Sequence, residues 1–338
     1  MIGFPSSVAL DPGTANTLLY VKGRGVAISE PSLVTIRTST REIVTVGEEA
    51  EAGLGRTPRK LQTARPIRGG AISDLDLFDG MLHRFLRKAH ISGLLRRLQA
   101  AIAIPSSMTE VERLALVESI RKAGSIGVLL VEQVLAAARG AGLAIEESRG
   151  RMVVNIGAGV TDVAIISLGN TVCAGSTHVA GDEMDAAIVS HVRAVHQLLI
   201  GEPTAQRLKI MIGSATPRHD GLSLRVKGRC AERGVPREAV IRGSEIREAL
   251  SAPLARIVHT IREVLEQAPP ELSADLVDTG IVLTGGSALL RGLDRLITLD
   301  CGLPVRAASE PMSCVILGLA YQLDHLCLAD WRRFNAAC

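Results

Sequence analysis

Two stretches, residues 8–21 and 153–166, constrain the fold of this chain more than any other feature. The first reads VALDPGTANTLLYV and the second VVNIGAGVTDVAII. Each is a short apolar run, then Asp11 or Asn155, then a turn of Gly and small residues, then a second apolar run. One β-hairpin used twice, about half a chain apart, implies two related domains, and the spacing is too long for a solenoid. The length of 338 residues agrees, since it suffices for about two domains with their own cores. Aromatics are 2% of a chain that is 47% hydrophobic, so those cores must be Val, Ile, Leu and Ala, which suits buried strands in α/β layers.

GAG after a strand also opens a dinucleotide-binding fingerprint, but that motif needs a helix after the turn and a third glycine. Here VTDVAIISLGNTVCAG continues as strand, with Gly169-Asn170 as the next expected hairpin turn. Small turn residues let backbone N–H groups converge on an anion, and Thr14, Asn16 and Thr161 offer side-chain donors. Taken singly, either copy also reads as a plain hairpin without a ligand.

A third glycine-rich site, GIVLTGGSALLRGLDR (280–295), reads as a strand, a turn at Thr284–Ser287 and a helix opened by ALLRGL. It is either a seat for a flat ligand or phosphate, or a tight turn with Ser287 as N-cap. Residues 100–143 alternate strand, helix, strand, helix, with Thr109 and Glu112 as a capping box, which implies a right-handed parallel crossover. Gln133 falls at the second strand-to-helix junction, where open α/β sheets place ligand-facing groups. Gln206 and Lys209 stand three apart on one helix face. Residues 244–270 form a long amphipathic helix that Pro253 is expected to kink or restart. His191, His196 and His259 read as packing or surface residues, with no carboxylate constellation around them. The six cysteines are scattered, which argues against a zinc site or disulfide framework and fits a reducing cytosol. The start shows no signal-peptide pattern, no apolar run approaches a membrane span, and a net charge of +3 is too small to argue for nucleic acid.

DPGTANTLLYVKGRG, EPSLV, LGRTP, ARPIRGGAISD, TEVER, EQVLAAARGAGL, MVVNIGAGVTDVAIISL, GEPTAQRLK, IGSA and VLTGGSALLRGLDRL follow one another in one order. Together they closely resemble the rod-shape-determining bacterial actins (the MreB family), from about residue 8 to about 325. The resemblance implies an α/β, actin-like fold of the actin/Hsp70/sugar kinase type, with two related lobes around a nucleotide cleft. Lobe I is expected at 1–145 plus 308–330, with a small subdomain at about 24–72. Lobe II is expected at 146–307, with a small subdomain at about 180–243, and a tail at 331–338. ATP or ADP with Mg²⁺ is implied. Phosphate contacts carry over to Thr14, Ala15 and Asn16 and to Gly157, Ala158, Gly159 and Val160. Adenosine contacts carry over to Gln206, Arg207, Leu208 and Lys209 and to Gly286, Ser287, Ala288 and Leu289. Asp11, Gln133 and Asn155 stand at the catalytic positions, Asp11 reaching Mg²⁺ through water. The implied partners are copies of the chain in head-to-tail protofilaments, the cytoplasmic membrane surface and membrane proteins of the cell-wall elongation machinery, with no nucleic acid. The implied location is cytoplasmic, peripheral at the inner face of the cell membrane, where such filaments guide wall synthesis and so cell shape.

The chain departs from the family inside that cleft. Members usually have Asp at Asn155, Glu at Gln133 and Gln206, Gly at Ala158, Thr at Val160 and Leu at Pro12. Asn155 keeps the shape of the acid and loses its charge, so metal affinity should fall. Gln133 cannot act as a general base, although it can orient a water. A nucleotide site with slow or absent hydrolysis follows as the expectation. The rival functions are a pseudo-ATPase adaptor that caps or co-assembles with an active paralogous bacterial actin, and, further off, a chaperone or sugar kinase on the same fold. A chaperone would need a further substrate-binding domain, and a kinase a catalytic acid facing a sugar, for which there is no candidate.

Residues 81–99 raise the membrane question. Arg84, Arg87 and Lys88 precede an apolar knuckle of Ile91, Leu94 and Leu95, and Arg96 and Arg97 follow it. By composition this is a helix packing inward with solvated arginines; by the resemblance it is a hydrophobic membrane loop, acting without the basic amphipathic N-terminal helix that other members use.

Overall fold

The structure, a computed structural model, describes residues 6–91 and 98–325. The chain divides into two compact units, one up to Leu143 and again from Ser313, the other Ala144–Met312. Among the described residues, each unit is built on a five-stranded mixed sheet, and the two sheets have the same strand order. In the first unit the order is Gly25–Pro31, Asn16–Val21, Ser6–Pro12, Leu98–Ile104, Ser125–Glu132. In the second it is Asn170–Thr177, Thr161–Ser167, Arg151–Ile156, Ile281–Thr284, Val305–Ala307. In both, three strands meander antiparallel and two more add in parallel. The repeated sequence pattern is therefore a repeated architecture.

Strands Leu98–Ile104 and Thr161–Ser167 are buried along their whole length, as expected of central strands covered on both faces. The helix Glu110–Lys122 starts at the capping box, with Thr109 accepting from the Glu112 N–H and the Glu112 carboxylate accepting from the Thr109 N–H. Each unit also carries a three-stranded antiparallel sheet. One joins Ile43–Val46, Val34–Arg37 and Leu61–Ala64; the other joins Leu198–Leu199, Ser223–Cys230 and Pro236–Arg242.

Two expectations are corrected. Helix Gly243–Glu266 continues through Pro253 without a restart. Ile246, Leu250, Leu254, Ile257, Ile261 and Val264 are all buried along one face, and that burial outweighs the backbone hydrogen bond Pro253 cannot make. The hairpin turn falls at Leu168-Gly169, with φ of 52° and 73°, and Asn170 already pairs with Ser167. Two bonds to the preceding loop hold Leu168 in this unfavourable region, from its own N–H to the Glu147 carbonyl and from the Gly169 N–H to that of Ile145.

The helix Gln133–Gly140 packs backbone to backbone on Cys314–His325. A Cβ at Gly140 would stand 1.8 Å from the Cys314 carbonyl oxygen, and one at Gly318 the same distance from that of Ala136. Only glycines permit this approach, and it fixes the helix whose first residue is Gln133.

Candidate functional site

In the first hairpin the turn carbonyls are tied back into the unit. The Ser32 hydroxyl donates to the Gly13 carbonyl at 2.6 Å and the Ser32 N–H to that of Ala15 at 2.7 Å. Thr17 lies 2.8 Å from the same hydroxyl and completes the chain as its donor. The Thr14 hydroxyl oxygen accepts from the Gly70 N–H at 3.0 Å, and its carbonyl accepts from Arg65 at 3.4 Å. The Thr14 proton is thus left to donate elsewhere. A Cβ on Gly13 would lie 2.6 Å from the Asn16 carbonyl oxygen, so the turn closes this tightly only with glycine. Asp11 ends the first strand, 8% exposed, and accepts from Gln133 Nε2 at 3.3 Å. Burial pushes its carboxyl up to about 7, the Gln133 bond only partly opposing this.

The second hairpin repeats the device with different partners. The Gly157 N–H closes the turn onto the Val160 carbonyl at 2.9 Å. The Gly157 carbonyl accepts from Ser287 Oγ at 2.9 Å and from the Gly181 N–H at 3.2 Å, and the Ala158 carbonyl from the Asp182 N–H at 2.8 Å. Asn155 is buried, opposite Asp162 in register, and its Oδ1 accepts from Thr284 Oγ1 at 3.2 Å. Three readings from sequence change here. Thr161 is no ligand donor, because its buried hydroxyl is spent on the Val179 carbonyl at 2.7 Å. Ser287 is no helix cap; it ties the third glycine-rich site to the second hairpin. ALLRGL opens no α-helix: Gly286–Leu289 is a single 3₁₀ turn, and the helix Leu293–Cys301 starts only after left-handed Gly292. Gly285 itself, at φ 82°, leaves 2.4 Å between a would-be Cβ and the Ile156 carbonyl oxygen.

Gln206–Lys209 lies in the helix Glu202–Ile212. Gln206 and Arg207 are exposed and Leu208 is buried. Lys209 turns inward, donating to the Gly181 carbonyl and to Asp185 Oδ2, both at 2.9 Å. One ammonium thereby joins this helix to the helix Gly181–His196, whose first N–H groups hold the second hairpin turn. Asp185 was missed by sequence reasoning. It is 5% exposed, its Oδ1 has no hydrogen-bond partner among the described residues, and burial pushes its carboxyl up to about 6 despite Lys209. Lys209→Met is expected to cost about 2 kcal/mol, because the buried Asp185 carboxylate loses its counter-ion. Thermal unfolding at about pH 8 checks this; an unchanged midpoint would mean that Lys209 does not hold the Asp185 charge.

Asp162, Arg65, Gly70 and Ser32 were also missed. Asp162 had a legible signal, since it is a lone acid inside an apolar run and is 1% exposed. Two of the histidines need a correction: His196 pairs with Glu245, whose carboxylate also caps the Arg242 N–H, and His259 pairs with Glu263 at 3.4 Å.

The membrane knuckle fares unevenly. Ile91 is 3% exposed and belongs to the core of the first unit, so it presents no apolar tip. Leu94, Leu95, Arg96 and Arg97 lie outside the described residues. Arg84 donates to the Val44 carbonyl at 2.7 Å and to that of Ile43, and Lys88 pairs with Glu30 at 2.9 Å, so both cations are engaged within the unit. Among the described residues no helix is long and apolar enough to cross a membrane.

The family model described as MreB/Mbl protein matches residues 5–329. The chain belongs to the MreB/Mbl family. The cell shape-determining protein MreB of Escherichia coli strain K12 is 44% identical over 320 residues, 93% of this chain and 92% of the relative. The cell shape-determining protein Mbl of Bacillus subtilis is 40% identical over 325 residues, 96% and 97% of the two chains. The crystal structure of MreB5 of Spiroplasma citri bound to AMPPNP superposes with a TM-score of 0.92 at 33% identity, covering 99% of this chain and all of that one. A MamK double helical filament matches at a TM-score of 0.82 and 21% identity, which bears on the fold alone. The fold is actin-like.

Whether these residues suit a nucleotide and Mg²⁺ is testable on the geometry. The two turns suit phosphate in that their carbonyls are engaged by Ser32, Ser287 and backbone N–H groups, and Gly13 and Gly157 stand where a Cβ would press on backbone oxygens. A buried carboxyl pushed up to about 7 is what a divalent cation would relieve, so Asp11 suits Mg²⁺. The second hairpin offers only the neutral Asn155 oxygen, already accepting from Thr284. No group of three or more His, Cys, Asp or Glu residues forms a metal site among the described residues.

Proposed function

We propose that this chain is an actin-like subunit that binds ATP or ADP with Mg²⁺ and polymerises with its own copies. Its filaments lie at the inner face of the cell membrane, guide wall synthesis and so set cell shape. The named role of the E. coli and B. subtilis relatives supports the last step. The Spiroplasma citri relatives, one bound to AMPPNP and one to ADP, support nucleotide binding. Phosphate would be held by Thr14, Ala15 and Asn16 and by Gly157–Val160; adenosine by Gln206–Lys209 and Gly286–Leu289. A bound Mg²⁺ would neutralise phosphate charge. Asp11 would hold its waters, Gln133 would orient the attacking water, and no residue would take the proton in place of an acid at 133 or 155. Hydrolysis is consequently slow.

The carrying observation is the repeated hairpin with its turn carbonyls tied back and one of its two acids replaced by Asn155. High-speed sedimentation with Mg·ATP, with Mg·ADP and without nucleotide tests it, with phosphate release measured in parallel. Pelleting that depends on nucleotide, with phosphate release slower than that of the E. coli relative, is expected. Equal release would remove the slow-hydrolysis clause. The loss of the acid at position 155 favours one second reading: an adaptor that co-assembles with an active paralogue. Pelleting only when such a paralogue is added would establish it.

A further inference from the structure

Residues 223–242 hold six cations, Arg225, Lys227, Arg229, Arg233, Arg237 and Arg242, against the acids Glu232 and Glu238. This one hairpin carries a net charge of +4, while the whole chain carries +3. The charge is also sorted by geometry. In the small sheet of the second unit, Val226, Cys230 and Ile241 point inward and are buried. Alternation therefore puts Arg225, Lys227 and Arg229 on the outer face, opposite Val240, Glu238 and Pro236 in register. The Arg225 and Lys227 side chains are 72% and 82% exposed and share Glu238 at 3.6 and 3.3 Å, so one partly exposed acid is set against three cations. Val240 and Val235 are half exposed among them.

We propose that this outer sheet face is a contact surface for an anionic phospholipid bilayer. The face is exposed, its long cationic side chains reach headgroup phosphates, and the interleaved valines can enter the interface. An acidic peptide would instead be expected to use a concave or paired-edge site, and these cations lie on an open face. The other cation-rich stretch, residues 56–68, suits a bilayer less, because it winds through turns and its Arg65 is bonded to Thr14. A single face of this charge binds weakly. Repetition along a filament raises the avidity, and in that respect the inference rests on the filament reading.

The test is flotation of the full chain with phosphatidylglycerol vesicles and with phosphatidylcholine vesicles, at low and high salt. Wild type is expected to float with phosphatidylglycerol alone and to lose binding as salt rises. The triple variant R225Q/K227Q/R229Q should bind at least about tenfold more weakly, and E238Q, which removes the acid from the face, about twofold more tightly. Wild-type-like binding by the triple variant would overturn the proposal, as would equal flotation with phosphatidylcholine. Two other results also overturn it: binding to polyglutamate without binding to vesicles, which assigns the face to acidic protein, and loss of lipid-free pelleting in the triple variant, which makes it a contact between copies. Failure of wild type to pellet with Mg·ATP would count against the filament reading instead, and monomer flotation at low salt would still read out this face.

Discussion

Asn155→Asp combined with Gln133→Glu is expected to raise phosphate release by about a hundredfold, the lower end of what a positioned general base contributes. Both substitutions are near-isosteric. Asn155 Oδ1 accepts from Thr284 Oγ1, and a carboxylate oxygen accepts the same bond. Gln133 heads a helix locked by glycine contacts, so a carboxylate introduced there inherits a fixed position. The gain carries a cost in the ligand-free protein. The new carboxylate at position 155 would face Asp162 directly across the strand pair, both buried. The one at position 133 would take the place of the amide that donates to Asp11. Like charges so placed destabilise, by about 1–3 kcal/mol here. The double variant should therefore melt earlier than wild type without ligand and regain its stability with Mg·ATP. Turnover unchanged while the ligand-dependent melting shift grows would mean that these positions serve binding and leave hydrolysis alone.

The parts legible in sequence are those set by neighbours along the chain. The two hairpins, the Thr109–Glu112 capping box and the buried central strands all follow from residues within a turn or a strand of each other. The site's wiring spans longer separations. Gln133 reaches Asp11 across 122 residues and Ser287 reaches Gly157 across 130. Composition could name Thr161 as a possible donor but could not show that Val179 takes its proton. Arg84 and Lys88 looked like free cations because the acceptors that engage them, Ile43, Val44 and Glu30, lie about forty to sixty residues away in sequence. Residue types thus announce a glycine turn of the kind that suits phosphate, while the hydroxyls that tie its carbonyls back have to be seen.

Asp11→Asn should stabilise the nucleotide-free protein at pH 8 by up to about 4 kcal/mol, the full conversion of a carboxyl raised from 3.8 to about 7. The sign follows from proton uptake. Between pH 3.8 and about 7 the folded chain holds a proton on Asp11 that the unfolded chain has released. The contribution of this group to stability is thus complete below the unfolded value and is lost as pH rises through about 7. Asparagine carries no charge to bury, and its Oδ1 still accepts from Gln133. The variant should therefore match wild type near pH 4, exceed it at pH 8, and lose most of the wild-type decline in stability between those limits. Denaturant titrations across this range, with metal and nucleotide removed, measure it. With Mg·ATP present the order should reverse, since wild type gains a stabilising increment that the variant, lacking its carboxylate, cannot match. A wild-type pH profile that is flat without ligand would show that Asp11 is ionised and otherwise compensated, and the case for it as the cation-seeking group of the first hairpin would fall.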